Sequence, residues 1–204
     1  MNPGSCLVDD PGVANLQLLS HAEQQDILLL QQAILESVAQ GHDPLDIINE
    51  VCCLEERLLP NAVGSVMLLD EDGKLNVYAA PSVPPEGVER LRLLCPGPNS
   101  GSCGNALYRG EPVFVSDIAR DPLWTDYRDL ALAHGLRACW SMPIRSSTHV
   151  VLGTFAVYHR TVRQATLPEQ RSIIQATALT GIAIERARAE AAGGGAVAAG
   201  KAVL

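Results

Sequence analysis

Residues 137–159, RACWSMPIRSSTHVVLGTFAVYH, hold two apolar runs separated by a short polar segment. The runs Arg137–Ile144 and Val150–His159 have the length and the apolar, β-favouring content of strands. The polar residues Arg145–His149 between them are typical of a turn that joins antiparallel strands. This stretch therefore predicts a β-hairpin.

A second hairpin is predicted earlier in the chain. Val63–Leu69 is rich in residues that favour strands, and Leu75–Ala79 alternates as a partner strand. Asp70–Gly73 between them carries the residues of a tight turn. Pro112–Ile118 predicts one more strand, so the chain contains at least five. Strands joined largely by hairpins indicate an antiparallel sheet.

Two helices are predicted before the first hairpin. Apolar residues recur at three- and four-residue steps from about Ser20 until Gly41, which ends the helix. Asp43-Pro44 then begins a second helix that continues to Pro60. Short connecting helices are expected within residues 84–94, 105–109 and 126–134. The predicted fold is α+β: an antiparallel sheet of five to six strands with terminal helices on one face and connecting helices on the other.

One domain accounts for most of the 204 residues. Residues 1–18 show no period and are expected to form a flexible arm, followed by the domain at 19–192. The last helix begins at the capping box of Thr166 and Glu169 and is expected to end at a run of three glycines. Residues 193–204 would then be a flexible tail or the start of a linker.

The composition argues against several classes of protein. Fifteen Lys and Arg residues face 23 Asp and Glu, and a net charge of −8 does not favour binding to nucleic acid or to an anionic membrane surface. No apolar stretch is long enough for a membrane helix and no export signal is present, so a cytoplasmic location with reduced thiols is expected. The six cysteines include no Cys-x-x-Cys pattern, and no metal site is predicted.

The order of elements and several short motifs resemble the GAF domain, a ligand-sensing module of bacterial signalling proteins. The resemblance extends from about Ile27 to Arg188. The segments that carry it are Ser65–Asp70, Gly101–Gly104, Arg109–Val113, Ser116–Ile118, Asp121–Trp124, Ala131–Ile144 and Leu152–Tyr158. It implies a sensory module that binds a small molecule and relays its state through the terminal helices. The implied partner is an output domain of the kind found in cyclic-di-GMP enzymes, histidine kinases or sigma-54 activators.

The resemblance also implies that a ligand lies between the sheet and the segments 98–109 and 121–134. Small residues in the first segment would let backbone N–H groups approach the ligand, and aromatic residues would form apolar walls. The candidate ligand-binding residues are Ser100, Gly101, Cys103, Gly104, Asp117, Trp124, Tyr127, His134, Ser141 and Phe155. No catalytic residue is predicted.

Several residues have two roles open to them. Cys103 either has a reactive thiol at the start of a short helix or packs inward. His134 either lies in solvent at a helix end or ligates a metal or haem iron. Trp124 and Tyr127 either close the edge of the core or line a pocket. His159, at a strand end, is expected to be exposed.

Two alternative functions are also open. The first is that of a free methionine-R-sulfoxide reductase, a stand-alone protein of the same fold whose Gly-x-Cys-Gly turn Cys103 fits. Against it, Cys139 stands only two residues before Ser141, and Met142 replaces the glutamate of the reductase pattern. The second is that of a haem-based gas or redox sensor, with His134 or the nearby cysteines as iron ligands. The cofactor is otherwise unknown.

The terminal helices predict a homodimer. Ile27, Leu30, Ile34 and Val38 form an apolar stripe on the first helix. The last helix would be about 25 residues long, or roughly 37 Å. Helices of this length exceed what one small sheet can cover, so their remaining apolar surface is expected to pair between subunits.

Overall fold

A computed structural model describes residues 21–90 and 94–200. The expected flexible arm at 1–18 lies outside the described residues, as do residues 201–204. The helices are α1 (His21–Gln40), α2 (Pro44–Leu58), α3 (Pro85–Arg90), α4 (Gly101–Arg109), α5 (Arg128–Ala133) and α6 (Leu167–Gly200). The strands are β1 (Ala62–Leu69), β2 (Leu75–Ala79), β3 (Val113–Val115), β4 (Ala138–Arg145) and β5 (Val151–His159). No helix in these described ranges has the length and apolar character that crossing a membrane requires.

The strands form one antiparallel sheet in the order β2-β1-β5-β4-β3. Both predicted hairpins are present, as the pairs β1–β2 and β4–β5. β5 lies in the middle and pairs with β1 on one side and β4 on the other. The predicted α+β class and the antiparallel sheet are therefore confirmed, with five strands in the described part of the chain.

Each face of the sheet is covered by a different set of helices. On one face, α1, α2 and α6 pack over a core that includes Val51, Trp140, Phe155 and Ile173. On the other face, the connecting segments with α4 and α5 pack over a second core that includes Tyr158. The predicted division between terminal and connecting helices is confirmed.

Two element boundaries differ from the sequence-based expectation on the connecting side. α4 begins at Gly101, one turn before the expected start, because Gly101 adopts the positive φ of +63° that turns the chain into the helix. β3 ends at Val115 rather than at Ile118. The strand stops because Asp117 forms a turn, in which its Oδ1 accepts a hydrogen bond from the backbone N–H of Ala119 at 3.0 Å.

The last helix also differs from the expectation. α6 continues through the three glycines at 193–195 to Gly200 instead of ending there. Glycine in a helix costs only about 1 kcal/mol relative to alanine, and the neighbouring alanines favour the helical backbone. At its start, one of the two bonds of the expected capping box is present, since Glu169 accepts a hydrogen bond from the backbone N–H of Thr166 at 2.8 Å. The hydroxyl of Thr166 donates to the same carboxylate at 2.9 Å.

His159 is buried, contrary to the expectation of an exposed strand end. It is 1% exposed, and its ring centroid lies 4.2 Å from that of Trp140. The guanidinium of Arg163 lies over the Trp140 ring, 5.2 Å from its centroid, and pairs with Glu169, so the start of α6 packs over this end of β5. Burial, and then the charge of Arg163, lowers the pKa of His159 to about 4.

Glu55 is a second buried ionisable group, at the interface of α2 and α6. It is 2% exposed, and its Oε1 accepts a hydrogen bond from the hydroxyl of Ser172 at 2.8 Å. Its Oε2 has no hydrogen-bond partner among the residues that the structure describes. Burial raises the pKa of Glu55 to about 7, although the bond from Ser172 opposes the shift.

Replacing Glu55 by glutamine is expected to change how stability depends on pH. The carboxyl has a pKa of about 7 when folded and an ordinary value of 4.5 when unfolded, so wild-type stability is lost as pH rises through this range. Glu55→Gln cannot ionise and keeps an acceptor for Ser172. Urea unfolding at several pH values should therefore show the variant gaining stability relative to wild type between about pH 4.5 and pH 7.

His159→Gln is the matched control because its effect has the opposite sign. As pH falls from 6.5 towards 4, His159 takes up a proton in the unfolded state before it does so in the folded state, and the wild-type protein loses stability. The variant does not take up this proton, so its unfolding free energy rises relative to wild type at low pH. If the unfolding free energies of Glu55→Gln and wild type change in parallel with pH, Glu55 has the same pKa in the folded and unfolded states, contrary to this prediction.

Candidate functional site

A cavity of about 350 Å³ lies between the sheet and the connecting segments. Its size falls within the range of small-molecule sites in proteins. Most of its wall is apolar, and the polar groups are few. Its lining residues are Val63, Met67, Ser82, Val83, Pro84, Glu86, Gly87, Leu94, Ser100, Gly101, Ser102, Cys103, Trp124, Tyr127, Leu130, Ala131, His134, Leu136, Tyr158 and Arg160.

The first turn of α4 and Trp124 form one wall of the cavity. A Cβ at Gly101 would lie 3.5 Å from the indole ring, an ordinary van der Waals distance, so the start of α4 packs directly against Trp124. The indole N–H donates a hydrogen bond to the hydroxyl of Ser102 at 3.1 Å, and this hydroxyl donates to the carbonyl of Cys139 at 3.1 Å. Trp124 is thus held by β4 through Ser102.

The segment before Trp124 sets the position of its ring. Pro122–Trp124 form a single 3₁₀ turn, and Asp121 caps it by accepting a hydrogen bond from the N–H of Leu123 at 2.9 Å. Trp124 is only 6% exposed, yet it lines the cavity. It therefore fills both roles that the sequence left open, as a core residue and as a cavity wall.

The floor of the cavity comes from the central strands and α4. Val63 and Met67 of β1 and Tyr158 of β5 present their side chains from the sheet. The Sγ of Cys103 lies 3.4 Å from the Oη of Tyr158, and both residues are 4% exposed. Cys103 thus packs inward, and its thiol faces the cavity rather than bulk solvent.

Charged and aromatic groups stand at the rim. The Nδ1 of His134 lies 2.8 Å from the carbonyl oxygen of Leu130, and because a carbonyl can only accept, Nδ1 donates this hydrogen bond. Arg160 donates a hydrogen bond to the carbonyl of His134 at 3.2 Å, which ties the end of α5 to the end of β5. Tyr127 is partly buried, and burial raises the pKa of its hydroxyl.

Six of the ten expected site residues line the cavity, and four do not. Those that line it are Ser100, Gly101, Cys103, Trp124, Tyr127 and His134. Gly104 is instead buried inside α4, where a Cβ would meet the side chain of Ser100 at 2.4 Å. Asp117 lies in the turn after β3 and pairs with Arg120 at 3.6 Å.

The placement of Phe155 and Ser141 is corrected by the alternation of the strands. Because Tyr158 faces the cavity, Phe155 projects to the opposite face, into the core beneath the terminal helices. Ser141 is on the cavity side but is fully buried beside Cys103, below the lining. Arg160 and Met67 also line the cavity but were not expected from the sequence. The alternation of β1 would have indicated Met67 if the face on which Val63 lies had been known.

In the part of the chain that the structure describes, no three His, Cys, Asp or Glu side chains come close enough to hold a metal ion. The cavity is therefore described by its shape, its apolar wall and the polar groups at its floor and rim. A concave, mostly apolar cavity with a few polar groups, between the sheet and its connecting segments, has the character of the sites at which proteins bind small molecules.

The sequence profile of the GAF domain matches residues 43–184. The chain belongs to the GAF domain family. The expected family membership is thus confirmed, and the match includes the whole sheet and the cavity.

Known proteins are similar to the chain in sequence or in fold. The methyl sulfide methyltransferase-associated sensor of Methanosarcina acetivorans is 33% identical over 175 residues, which are 85% of this chain but 18% of that sensor. The chain thus spans less than a fifth of the length of this relative. The GAF domain of a phosphoenolpyruvate-protein phosphotransferase from Coxiella burnetii has a TM-score of 0.66 at 19% identity, covering 82% of this chain and 98% of that one.

One more solved structure shares the fold. The reduced form of fRMsr of Staphylococcus aureus has a TM-score of 0.59 at 14% identity, and the similarity covers 79% of this chain and 94% of that one. At this level of identity the similarity shows the common fold alone.

Replacing Trp124 tests its double role. Trp124→Phe keeps a ring against Gly101 but loses the bond to Ser102, so we expect a loss of about 1 kcal/mol in unfolding free energy. Trp124→Ala also empties part of the wall and should cost about 3–5 kcal/mol. Urea unfolding followed by circular dichroism measures both.

Ser102→Ala is the control, because it removes the same hydrogen bond from its other end. It also removes the bond that Ser102 donates to the carbonyl of Cys139, so it should cost at least as much as Trp124→Phe. If Trp124→Phe is as destabilising as Trp124→Ala, the indole N–H rather than the ring supports the wall, contrary to this assignment.

Proposed function

We propose that the chain is a sensory module that binds a small organic molecule in its cavity and relays the bound state through its terminal helices. The observation that carries the proposal is the cavity of about 350 Å³ between the sheet and its connecting segments. Its relatives support the sensory role, since one is named as a sensor. The module acts as a binding domain rather than as an enzyme, and we place it in the cytoplasm.

The lining favours a ligand with an apolar body and a few polar groups. Trp124, Leu130 and Met67 offer apolar contact to the body, whereas Arg160 and His134 offer hydrogen bonds at the rim. A ligand between them would contact α4, α5 and the sheet at the same time. Binding would therefore stabilise the connecting segments against the sheet.

The sheet provides a direct route from the cavity to the terminal helices. Tyr158 lines the cavity, while the adjacent Val157 lies in the core beneath the terminal helices. On that face α6 approaches β4 closely, since a Cβ at Gly181 would lie 3.0 Å from the carbonyl oxygen of Arg145. A shift of β4 or β5 upon binding would thus press on α6, whose far end leads to the proposed output domain.

Screening small organic molecules by thermal shift tests the binding role. Tyr127→Ala removes an aromatic wall at the rim, so the apparent affinity for a molecule that stabilises wild type should fall by about tenfold. The matched control is Tyr108→Ala, since Tyr108 is 62% exposed and does not line the cavity. Equal effects of the two substitutions would place the binding elsewhere.

A native mass spectrum and an absorption spectrum of freshly purified protein identify what the cavity carries. An added small mass lost on denaturation supports an organic ligand. A Soret band would instead establish the haem alternative, for which His134 offers Nε2 as an iron ligand.

The proposed homodimer rests on apolar side chains that the terminal helices leave exposed. Two residues of the expected apolar stripe, Ile34 and Val38, are buried in the chain's own core, so they offer no surface to a second subunit. The side chains of Ile27 and Leu30 lie outside the described residues. Leu28, Leu35, Ile174 and Ile182 are exposed by 65%, 46%, 54% and 47%, respectively.

Leu28 and Leu35 form one exposed pair on α1, and Ile174 and Ile182 form another on α6. These two helices contact each other. Gln31 of α1 donates a hydrogen bond to Gln175 of α6 at 3.0 Å. Each pair is spaced by seven or eight residues, which places its members on one side of a helix. We infer that these side chains meet their counterparts in a second copy of the chain.

Charged substitutions test the dimer. Ile174→Glu combined with Ile182→Glu places four like charges in the proposed interface, so the dimer should dissociate by at least about tenfold more readily. Sedimentation or light scattering over a concentration series measures the change. Val150→Glu is the control, because Val150 is 60% exposed but lies in the turn between β4 and β5. A monomeric wild type at all concentrations would contradict the proposal.

The reductase function is the second candidate, favoured by Cys103 at the cavity floor, where its Sγ lies 3.4 Å from the Oη of Tyr158. Incubation with free methionine sulfoxide and a thioredoxin system distinguishes the two. Turnover that Cys103→Ser abolishes would establish the reductase and contradict a purely sensory role.

A further inference from the structure

Two cysteines meet beneath the cavity floor. Cys103 on α4 and Cys139 on β4 are 4% and 0% exposed and belong to the same buried cluster. Cys139 is the cross-strand neighbour of Tyr158, and Ser102, next to Cys103, donates a hydrogen bond to the carbonyl of Cys139 at 3.1 Å. Tyr158 adds its hydroxyl at 3.4 Å from the same sulfur. Since Cys103 and Tyr158 line the cavity, a small molecule in the cavity can reach this sulfur.

Surplus hydrogen-bond donors surround this thiol pair. Ser65 of β1 and Ser141 of β4 both pair with Ala156 of β5, and Thr154 is two residues before Ala156, so all three lie on the same face of the sheet as Tyr158. All three hydroxyls are buried, and none has a hydrogen-bond partner within residues 21–90 and 94–200. A neutral thiol is a weak acceptor, and a buried hydroxyl without a partner is unfavourable by about 1–3 kcal/mol. A thiolate, or an oxygen atom added to the sulfur, would give these donors an acceptor.

We propose that Cys103 and Cys139 form a redox site at the cavity floor, at which a small hydroperoxide oxidises the two thiols to a disulfide. The site shares the cavity with the proposed ligand but does not depend on ligand binding. It is also distinct from the reductase candidate, because the oxidant is a peroxide and Cys139 takes part.

The reaction proceeds in two balanced steps. First, the sulfur of Cys103, after losing its proton, attacks one peroxide oxygen, the O–O bond breaks, and the leaving oxygen takes up a proton and departs as alcohol or water. Cys103 is then a sulfenic acid. Second, the sulfur of Cys139 attacks the sulfur of Cys103, the S–O bond breaks, and the hydroxyl leaves as water with the proton of Cys139. The two thiols lose two electrons, which the peroxide takes up.

The surroundings assign the two roles. Hydrogen bonds from the thiol of Cys139 and the hydroxyl of Tyr158 outweigh burial and lower the pKa of Cys103 from its ordinary value. Burial raises the pKa of Cys139, and burial also raises that of Tyr158, which keeps its proton to donate. Cys103 therefore attacks the peroxide and Cys139 resolves the sulfenic acid.

Oxidation would change the cavity as well as the thiols. The disulfide ties the first turn of α4 to β4 and removes the contact between Cys103 and Tyr158. Ser102, next to Cys103, holds Trp124 and the carbonyl of Cys139, so the same turn also supports the cavity wall. The redox state of the pair is thus expected to alter the shape of the cavity.

Peptide mapping after peroxide treatment tests the proposal without any ligand. The background carries Cys6→Ser, Cys53→Ser and Cys95→Ser, because Cys53 and Cys95 are exposed and would react on their own. After limited hydrogen peroxide and alkylation of the remaining thiols, the Cys103 and Cys139 peptides should be found cross-linked. Cys52 is the internal control, since it is buried away from the cavity and burial raises its pKa.

The expected result is that the Cys103 thiol is lost at least about tenfold faster than that of Cys52. Cys139→Ser should stop at the sulfenic acid of Cys103, which dimedone traps, and Cys103→Ser should leave Cys139 reduced. Equal rates for Cys103 and Cys52, or oxidation of Cys139 in Cys103→Ser, would overturn the proposal. If either variant fails to fold, the cross-link in the background protein decides alone, and its absence overturns the proposal even where small molecules bind.

Discussion

The position of β5 between β1 and β4 governs the rest of the structure, because its hydrogen bonds to both neighbours assign each of its side chains to one face of the sheet. Tyr158 goes to the cavity, whereas Phe155 and Val157 go to the core beneath the terminal helices. The close pairing leaves no room at Gly153, where a Cβ would lie 2.1 Å from the carbonyl oxygen of Met67. The glycine is therefore a condition for the central pairing.

The small residues at the start of α4 are the second condition, since they decide how near the helix comes to the sheet. Gly101 meets the ring of Trp124, Ser102 bonds to β4, and Cys103 reaches Tyr158 of β5. Larger side chains there would lift α4 and open the floor of the cavity to solvent. The same residues thus create the apolar wall and bury the thiol pair below it.

The opposite face is built differently, because it buries ionisable groups between helices. Glu55 lies between α2 and α6, and His159 lies below the start of α6. Their opposite pKa shifts share one cause, since burial disfavours the charged form of each. Both groups are on the face covered by the terminal helices, whereas the cavity and the two cysteines are on the other face.

Local sequence patterns were enough to predict the hairpins, the terminal helices and the antiparallel α+β class, because turn residues and periodic apolar positions act locally. The resemblance of its motifs to a family also indicated the cavity walls at Gly101, Trp124 and His134. The packing of distant segments was needed to show that Phe155 faces away from the cavity and that Cys103 and Cys139 share one buried cluster. Strand parity and contacts between distant segments depend on which elements pack together, and no local pattern encodes that choice.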